Sequence, residues 1–338
     1  MNRIRIVLAA GLAAMTLAPL AQLAANDSIA ETAAGGLVLK QTDEIDMVSE
    51  DLYVSAAQVR VRYAFRNRTA RDVRATVAFP MPDRNLAELR DSNEAFPSDF
   101  ATRVDGRPVE MRVERRALLG GVDHSALLER LGVPVVIGES PVAFVGRALD
   151  GLPEADRRRL VELGLAEWTE WDEGRGMERH LQPLWTVKET WHWQQLFPAG
   201  RDLVVEHQYT PGTGMSMGSA IATREGRASP EGRRAIEEFC VDSQFLAALD
   251  RLARRASTPE FPLLDEQRVR YVLSTGANWR SPIGDFRLVV DKGAPDAIVS
   301  FCGSGLRRIG PTQFEMRRRN WRPTADLNVL IIHPEPRR

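Results

Sequence analysis

The sequence is poor in several features that would indicate a specific chemistry. It holds two cysteines and five histidines among 338 residues, and its formal net charge is −1. A near-neutral charge lacks the basic excess that general nucleic-acid binding requires. The cysteines form no C-x-x-C pair, and no H-x-x-x-H or H-E-x-x-H spacing occurs, which argues against a redox motif and a zinc site. We therefore expect no cofactor, no metal ion and no nucleic-acid partner.

Long apolar runs are also absent, apart from one at the N-terminus. Two arginines precede an apolar segment over residues 6–23, and two alanines, the second being Ala25, precede polar Asn26. A basic start, an apolar stretch and small residues before a polar segment are the features of a signal peptide. We predict cleavage near Ala25 and a periplasmic or secreted mature chain without a transmembrane segment. A retained membrane anchor is the alternative, although the run barely reaches spanning length.

The two cysteines are Cys240 and Cys302. In an oxidising compartment an even pair favours a disulfide. Closing a loop of this length would stabilise the fold by roughly 4 kcal/mol in the chain-entropy model. Two separate buried thiols are the alternative.

An alternating pattern gives the strongest secondary-structure signal. Every second residue from Val59 to Phe65 is apolar, and the arginines Arg60, Arg62 and Arg66 occupy positions between or after them. Period-two alternation predicts a half-buried strand with one apolar and one basic face. A second alternating segment over 73–79 ends at prolines, which cannot donate to a β-ladder. We predict that the two segments pair as a hairpin and form the centre of a β-sandwich.

The rest of the chain mixes strand and helix signals. Asp105-Gly106 between alternating runs predicts a further hairpin. Helical spacing occurs within 117–182 and over 230–254, and β patterns return after 269. The fold class predicted is α+β, mainly β, with antiparallel β-sandwiches and helical insertions. We expect a signal peptide over 1–25, an N-terminal β-sandwich over 26–211 with a helical insertion at about 117–182, and a helical segment followed by a β-rich region over 212–338.

Several motifs along the chain resemble one family. They include Asn26-Asp27-Ser28, the run Val59–Asn67, Phe197-Pro198-Ala199-Gly200, the segment Pro282–Phe286 and Ser300-Phe301-Cys302. Together they resemble domain of unknown function 4424, a group of uncharacterised secreted bacterial proteins. The resemblance implies export and brings no reaction. Residues 59–113 are also similar to the vault protein inter-alpha-trypsin domain, a β-sandwich, but no D-x-S-x-S metal motif occurs in the chain.

A G-x-S-x-G motif at Gly214–Gly218 raises the alternative of a serine hydrolase. Ser216 would be the nucleophile, and Asp285 and His333 follow it in the order of a catalytic triad. Such a serine must lie on a sharp turn between a strand and a helix. The surrounding glycines and Pro211, and the lack of a convincing helix after the motif, favour an ordinary glycine-rich loop.

Aromatic, histidine and arginine residues offer weaker candidates. Exported β-sandwiches often bind ligands through aromatic side chains, so four tryptophans are candidate ligand contacts: Trp185, Trp191, Trp193 and Trp279. The shared strand parity of the first three is equally what a core face needs. Three histidines (His180, His192 and His207) are more consistent with hydrogen-bonded sheet residues than with metal ligands. The arginine triplets at 157–159 and 317–319 are solvated faces or contacts for an acidic surface.

The sequence favours a non-catalytic function. No combination of acid, base and nucleophile is convincing, so we expect an exported protein that binds another envelope protein or a cell-wall component, or contributes to envelope assembly.

Overall fold

The computed structural model describes residues 26–33, 36–89, 96–136, 141–172, 174, 176–256, 262 and 264–334. The predicted signal peptide lies outside these residues. The described strands are β1 (Ser28–Ala33), β2 (Gly36–Lys40), β3 (Ile45–Ser55), β4 (Val59–Asn67), β5 (Val73–Pro80), β6 (Arg84–Asn85), β7 (Ser98–Val104), β8 (Arg107–Val109), β9 (Arg112–Leu119), β10 (Val122–Asp123), β11 (Ala166–Asp172), β12 (Met177–Pro183), β13 (Thr186–Phe197), β14 (Asp202–Thr210), β15 (Gly214–Met217), β16 (Asp265–Tyr271), β17 (Ile283–Asp291), β18 (Ile298–Phe301), β19 (Arg307–Arg308), β20 (Gln313–Trp321) and β21 (Leu327–His333).

The helices lie in two stretches of the chain. They are α1 (Leu86–Leu89), α2 (Ser125–Arg130), α3 (Pro141–Asp150), α4 (Glu154–Glu162), α5 (Arg224–Ala228), α6 (Pro230–Glu238), α7 (Ser243–Ala253) and a 3₁₀ turn at Ser274–Asn278. Helices α2 to α4 and the β11–β12 hairpin fall within the predicted insertion, and α6 and α7 within the second predicted helical segment. The mainly-β fold class is therefore confirmed.

An eight-stranded sheet forms one layer of the molecule, in the order β19-β20-β17-β3-β4-β14-β7-β8. Its central strand β4 buries the apolar residues from Val59 to Phe65 and leaves Arg60 and Arg62 exposed. The Asp105-Gly106 turn has φ of 47° and 76°, the left-handed values of a tight hairpin turn, and joins β7 to β8. The alternation of β4 and the second predicted hairpin are confirmed.

The opposite layer contains a seven-stranded and a four-stranded sheet. The first has the order β10-β9-β13-β5-β1-β2, with β6 also paired to β13, and the second has the order β15-β16-β21-β18. Their inner faces share one apolar core with the eight-stranded sheet, in which Phe79, Phe286 and Val329 are buried. A second core lies under α1 to α4, and a third lies between α6, α7 and the four-stranded sheet.

The predicted pairing of β4 with β5 is wrong. Strand β4 pairs with β3 and β14 in the eight-stranded sheet, whereas β5 pairs with β1 and β13 in the opposite layer. The polar connection between them therefore crosses from one layer to the other. Alternation shows which face of a strand is buried, but both strands can bury an apolar face by facing each other across the core.

Strands on both sides of residue 211 contribute to the eight-stranded sheet. Strand β3 pairs in parallel with β17, and β17 pairs with β20. The predicted boundary between two parts of the chain at residue 211 stays a prediction. Both parts contribute strands to the same eight-stranded sheet.

The predicted disulfide is present. Cys240 follows α6 and Cys302 follows β18, with their Cα atoms 5.1 Å apart. The bond ties the third core to the edge of the four-stranded sheet.

We predict that a Cys240→Ser/Cys302→Ser variant loses up to about 4 kcal/mol of unfolding free energy, since the bond closes a long loop in the unfolded chain. Both cysteines are exposed, so serine replaces them without opening a cavity. Urea denaturation checks the loss, and reduced wild-type protein is the matched control. Two free thiols in a non-reducing mass map of protein purified from the periplasm would contradict the bond.

Candidate functional site

The outer face of the eight-stranded sheet carries rows of charged side chains that the strand register aligns. One row crosses six neighbouring strands from β20 to β7 and consists of Arg317, Arg287, Asp51, Arg62, Glu206 and Arg103. Residues directly opposite on neighbouring strands lie within interaction distance. The row thus places four guanidinium groups and two carboxylates in one band across the sheet.

A groove of about 720 Å³ lies along this band. We call it the arginine groove; it is lined by Asp51, Tyr53, Arg60, Val61, Arg62, Ala101, Arg103, Glu206, His207, Gln208, Arg287, Val289 and Gln313. Arg60 lies over the ring of Tyr53, with its guanidinium carbon 4.5 Å from the ring centre. An aromatic surface beside guanidinium groups suits a ligand that combines anionic groups with apolar surface.

The arginines of the groove differ in how many carboxylates they contact. Glu315 accepts hydrogen bonds from Arg317, Arg307 and Arg287, which lower its pKa to about 2. Arg287 also contacts Asp51, with 3.0 Å between Nη1 and Oδ1. This end of the groove is therefore held by a network of ion pairs.

The remaining arginines of the groove are more weakly paired. Arg62 reaches Glu206 at 3.5 Å between Nε and Oε1, with both side chains about half exposed. In the part of the chain that the structure describes, Arg60 and Arg103 form no ion pair with a carboxylate. Exposed guanidinium groups without a carboxylate partner are free to bind an anion bidentately.

A cluster of buried polar residues lies on the inner side of the same sheet. The imidazole of His207 on β14 contacts Thr102 at 2.8 Å through Nδ1 and the Asp27 carboxylate at 3.1 Å through Nε2. Trp279 donates from Nε1 to the Asp27 carbonyl at 2.7 Å. These bonds fix Asn26-Asp27-Ser28 between the two layers, and all three residues are fully enclosed.

Glu50 on β3 is a second acid of this buried cluster, and its pKa is strongly raised. Its pKa is raised to about 8, mainly because the carboxyl group is buried; the hydrogen bond from Asn26 partly offsets this rise and the nearby Asp27 carboxylate adds to it. Asn26 Nδ2 donates to Glu50 Oε2 at 2.9 Å. The other two oxygens of this pair, Glu50 Oε1 and Asn26 Oδ1, are buried without a hydrogen-bond partner. A proton on Glu50 would supply the donor that the pair lacks.

The tryptophan candidates lie mainly inside the protein. Trp185, Trp193 and Trp279 are buried, and Trp191 is half-buried and stacked on Phe100 with 5.0 Å between ring centres. Trp185 lies in the core under the helical insertion, apart from the other three. The structure thus forms no single exposed tryptophan surface from these residues, and a ligand role for any of them stays a prediction.

The residues of the hydrolase alternative lie on separate strands. Ser216 is within β15, opposite Glu266 of the antiparallel strand β16, and not on a strand-to-helix turn. His333 is on β21 of the same sheet, whereas Asp285 is on β17 of the eight-stranded sheet and pairs with Arg319. The backbone at Ser216 therefore differs from the sharp turn that a nucleophile elbow needs.

The histidines are dispersed, and each agrees with an ordinary structural role. His207 is held as described, and His180 contacts Asp150 at 2.8 Å. Burial lowers the pKa of His192. Across the described ranges, no group of three or more metal-ligating side chains comes together.

The sequence identified the basic face of β4 but not the groove. Arg60 and Arg62 were visible as alternating residues, whereas their neighbours come from strands that are distant along the chain. In the sequence, Glu50 is simply one of the acidic residues of β3. No pattern in the sequence showed that its side chain faces the core.

We predict that the free energy of unfolding falls as the pH rises from about 5 to about 8. The prediction applies to a chain in which at least one residue precedes Asn26, so that its nitrogen is a peptide nitrogen. Unfolded Glu50 loses its proton near pH 4.5, whereas the folded protein keeps it to about pH 8. The folded state therefore binds more protons in this range, and raising the pH favours unfolding. Glu50→Gln should flatten the fall, because its amide imitates the protonated acid.

Urea denaturation at pH 5 and pH 8 measures the effect. Glu110→Gln is the matched control, because Glu110 is exposed between β8 and β9 and its replacement should leave the pH dependence unchanged. An identical fall in wild type and Glu50→Gln would exclude this source.

Comparison with known proteins identifies the family. No functionally curated protein matches the chain. Among solved structures, a Legionella pneumophila protein described as a candidate nutrient binding protein is 15% identical and has a TM-score of 0.45, over 91% of this chain and 70% of that chain. The sequence model of the family described as domain of unknown function (DUF4424) matches residues 25–330, and this match gives no support to the inter-alpha-trypsin similarity of residues 59–113. Because the match covers nearly the whole chain, the protein belongs to the DUF4424 family.

Proposed function

We propose that the protein is an exported, non-catalytic binding protein and that the arginine groove holds an anionic component of the cell wall. The observation that carries this proposal is the band of four arginines across six strands, with two further features beside it. Arg60 covers Tyr53, and Arg103 has no carboxylate partner in the described chain. The strand register fixes the spacing of the backbone positions from which these side chains project.

The charge of the groove supports an anionic ligand. Its lining contains four arginines (Arg60, Arg62, Arg103 and Arg287) and two acids (Asp51 and Glu206). Arg287 is occupied by two carboxylates, whereas Arg60 and Arg103 are not. A carboxylate or phosphate would bind Arg60 or Arg103, and Tyr53, beside Arg60, would offer a surface for a sugar or peptide.

Export is supported by the N-terminal sequence and by the disulfide. The leader pattern over residues 1–25 directs secretion, and a bond between Cys240 and Cys302 is favoured in an oxidising compartment. None of the helices in the described part of the chain has the length and apolar character needed to cross a membrane.

We predict that the mature protein co-sediments with purified peptidoglycan sacculi at low salt and that Arg60→Gln/Arg103→Gln reduces the bound fraction at least about tenfold. Removing two charge-assisted contacts accounts for a loss of this size. Raising the sodium chloride concentration should weaken wild-type binding, because exposed charges are screened.

The matched control is Arg74→Gln/Arg112→Gln. These arginines are exposed strand residues of the seven-stranded sheet, so the variant has the same net charge but an intact groove. Equal binding by the two double variants would contradict the groove as the site. Failure to bind sacculi, together with in-cell crosslinking of an envelope protein at Arg103, would contradict a cell-wall ligand and indicate a protein partner.

A further inference from the structure

The residue that follows the predicted leader is enclosed by distant parts of the chain. Asn26 is fully buried, and its backbone N–H donates to Thr275 Oγ1. The same hydroxyl donates to the Asn26 carbonyl at 2.5 Å, and the Asn26 side chain donates to Glu50. Both the backbone and the side chain of Asn26 are therefore fixed. We call this arrangement the Asn26 site and define it by Asn26, Glu50 and Thr275.

The 3₁₀ turn packs closely against the side chain of Asn26. A Cβ atom at Gly276 would lie 2.8 Å from Asn26 Nδ2 and 3.0 Å from Ile283 Cδ1. Both distances are shorter than side-chain packing normally allows, so a larger residue at Gly276 would displace Asn26. The absence of a side chain at this position thus creates the space that Asn26 fills.

One oxygen of the acid in the Asn26 site lacks a hydrogen-bond donor, and a second buried acid lies nearby. Glu50 and Asp27 are both buried, and Asp27 is bonded to His207. Glu50 Oε1 has no hydrogen-bond partner, and within the described residues no lysine or arginine pairs with Glu50. Burying a carboxyl group without a positive charge or a donor is costly.

A free amino group at Asn26 would supply both a charge and donors. An α-amino group is largely protonated at neutral pH and has three N–H bonds, whereas a peptide nitrogen has one. One of these bonds can be the existing contact with Thr275. The positive charge would lie on the backbone nitrogen of Asn26. This residue is next to Asp27 in the chain, and its side-chain amide donates to Glu50.

We propose that the leader is cleaved between Ala25 and Asn26 and that the new α-ammonium group is bound in the Asn26 site, so that processing completes the fold. Hydrolysis breaks the Ala25–Asn26 peptide bond with one water molecule. The water oxygen enters the Ala25 carboxylate, and both water hydrogens end on the Asn26 nitrogen, which becomes the α-ammonium group. The inference rests on the proposed export and does not depend on the arginine groove.

Two chains prepared without a leader test the Asn26 site directly. One begins at Asn26 and the other at Ala24, and both are released from a fusion partner by a protease that leaves no extra residue. We expect the Asn26 chain to melt at least about 3 °C higher at pH 7. An equal or lower Tm for the Asn26 chain would overturn the proposal. This comparison does not depend on export, so failure of export and failure of the Asn26 site are distinguishable.

Variants connect the difference to the site. In a Glu50→Gln background the advantage of the Asn26 chain should shrink, because the carboxyl group that gains from the ammonium charge is gone. Glu110→Gln is again the matched control and should keep the full difference. An undiminished difference in Glu50→Gln would contradict a role for Glu50.

Chemical labelling covers the case in which a variant does not fold. In the native wild-type Asn26 chain, an amine-selective reagent at pH 7 should modify the α-amino group at least about tenfold more slowly than in urea, because the group is buried. Modification at the same rate in both states would overturn the proposal. N-terminal sequencing of the protein exported by a bacterial host should give Asn26 as the first residue, and any other start would contradict the cleavage position.

Discussion

The parallel pairing of β3 with β17 is the interaction on which the two-layer structure depends. It runs from Ser49 opposite Asp285 to Ser55 opposite Asp291 and joins strands from the two ends of the chain. On the inner side it places Leu52 beside Leu288 in the core, and on the outer side it aligns Arg287 with Asp51. A parallel pair requires a long crossover connection. Here the crossover contains most of the seven-stranded sheet and both helical segments, so core and groove form only when the pair has closed.

Local patterns predicted the elements well and their partners poorly. The alternation from Val59 to Phe65 matches the burial of β4, and helices α6 and α7 lie within the segment 230–254 that was predicted to be helical. The mistaken β4–β5 hairpin shows the limit of this approach. Alternation depends on which face meets the core, and that face is the same whether the partner strand lies alongside or across the sandwich. The tryptophans Trp185 and Trp193 show a similar ambiguity, since strand parity fits a core and a binding surface equally.

The site was less predictable than the fold for reasons that lie in the strand register. A bulge between Met47 and Ser49 changes which residues of β3 face the core. Met47, which precedes the bulge, and Glu50, which follows it, both point to the core. Simple alternation from Met47 would place Glu50 outside. The arginine groove depends on register in the same way. Arg62 is apparent in the sequence, but its position between Asp51 and Glu206 follows only from the pairing of three strands.

The bonds between Asn26 and Thr275 join residues that are 249 positions apart. A chain that crosses a membrane from its N-terminus presents Asn26 first and Thr275 among the last residues. Asn26 therefore cannot form its contacts until the segment around Thr275 has also crossed. Contacts between residues so far apart in the sequence also slow folding. During this interval Asn26-Asp27-Ser28 and the inner face of β3 lack their native neighbours. Under the proposed export, this topology leaves the unfinished chain exposed for a period after transport, open to proteases, to aggregation and to chaperones of the envelope.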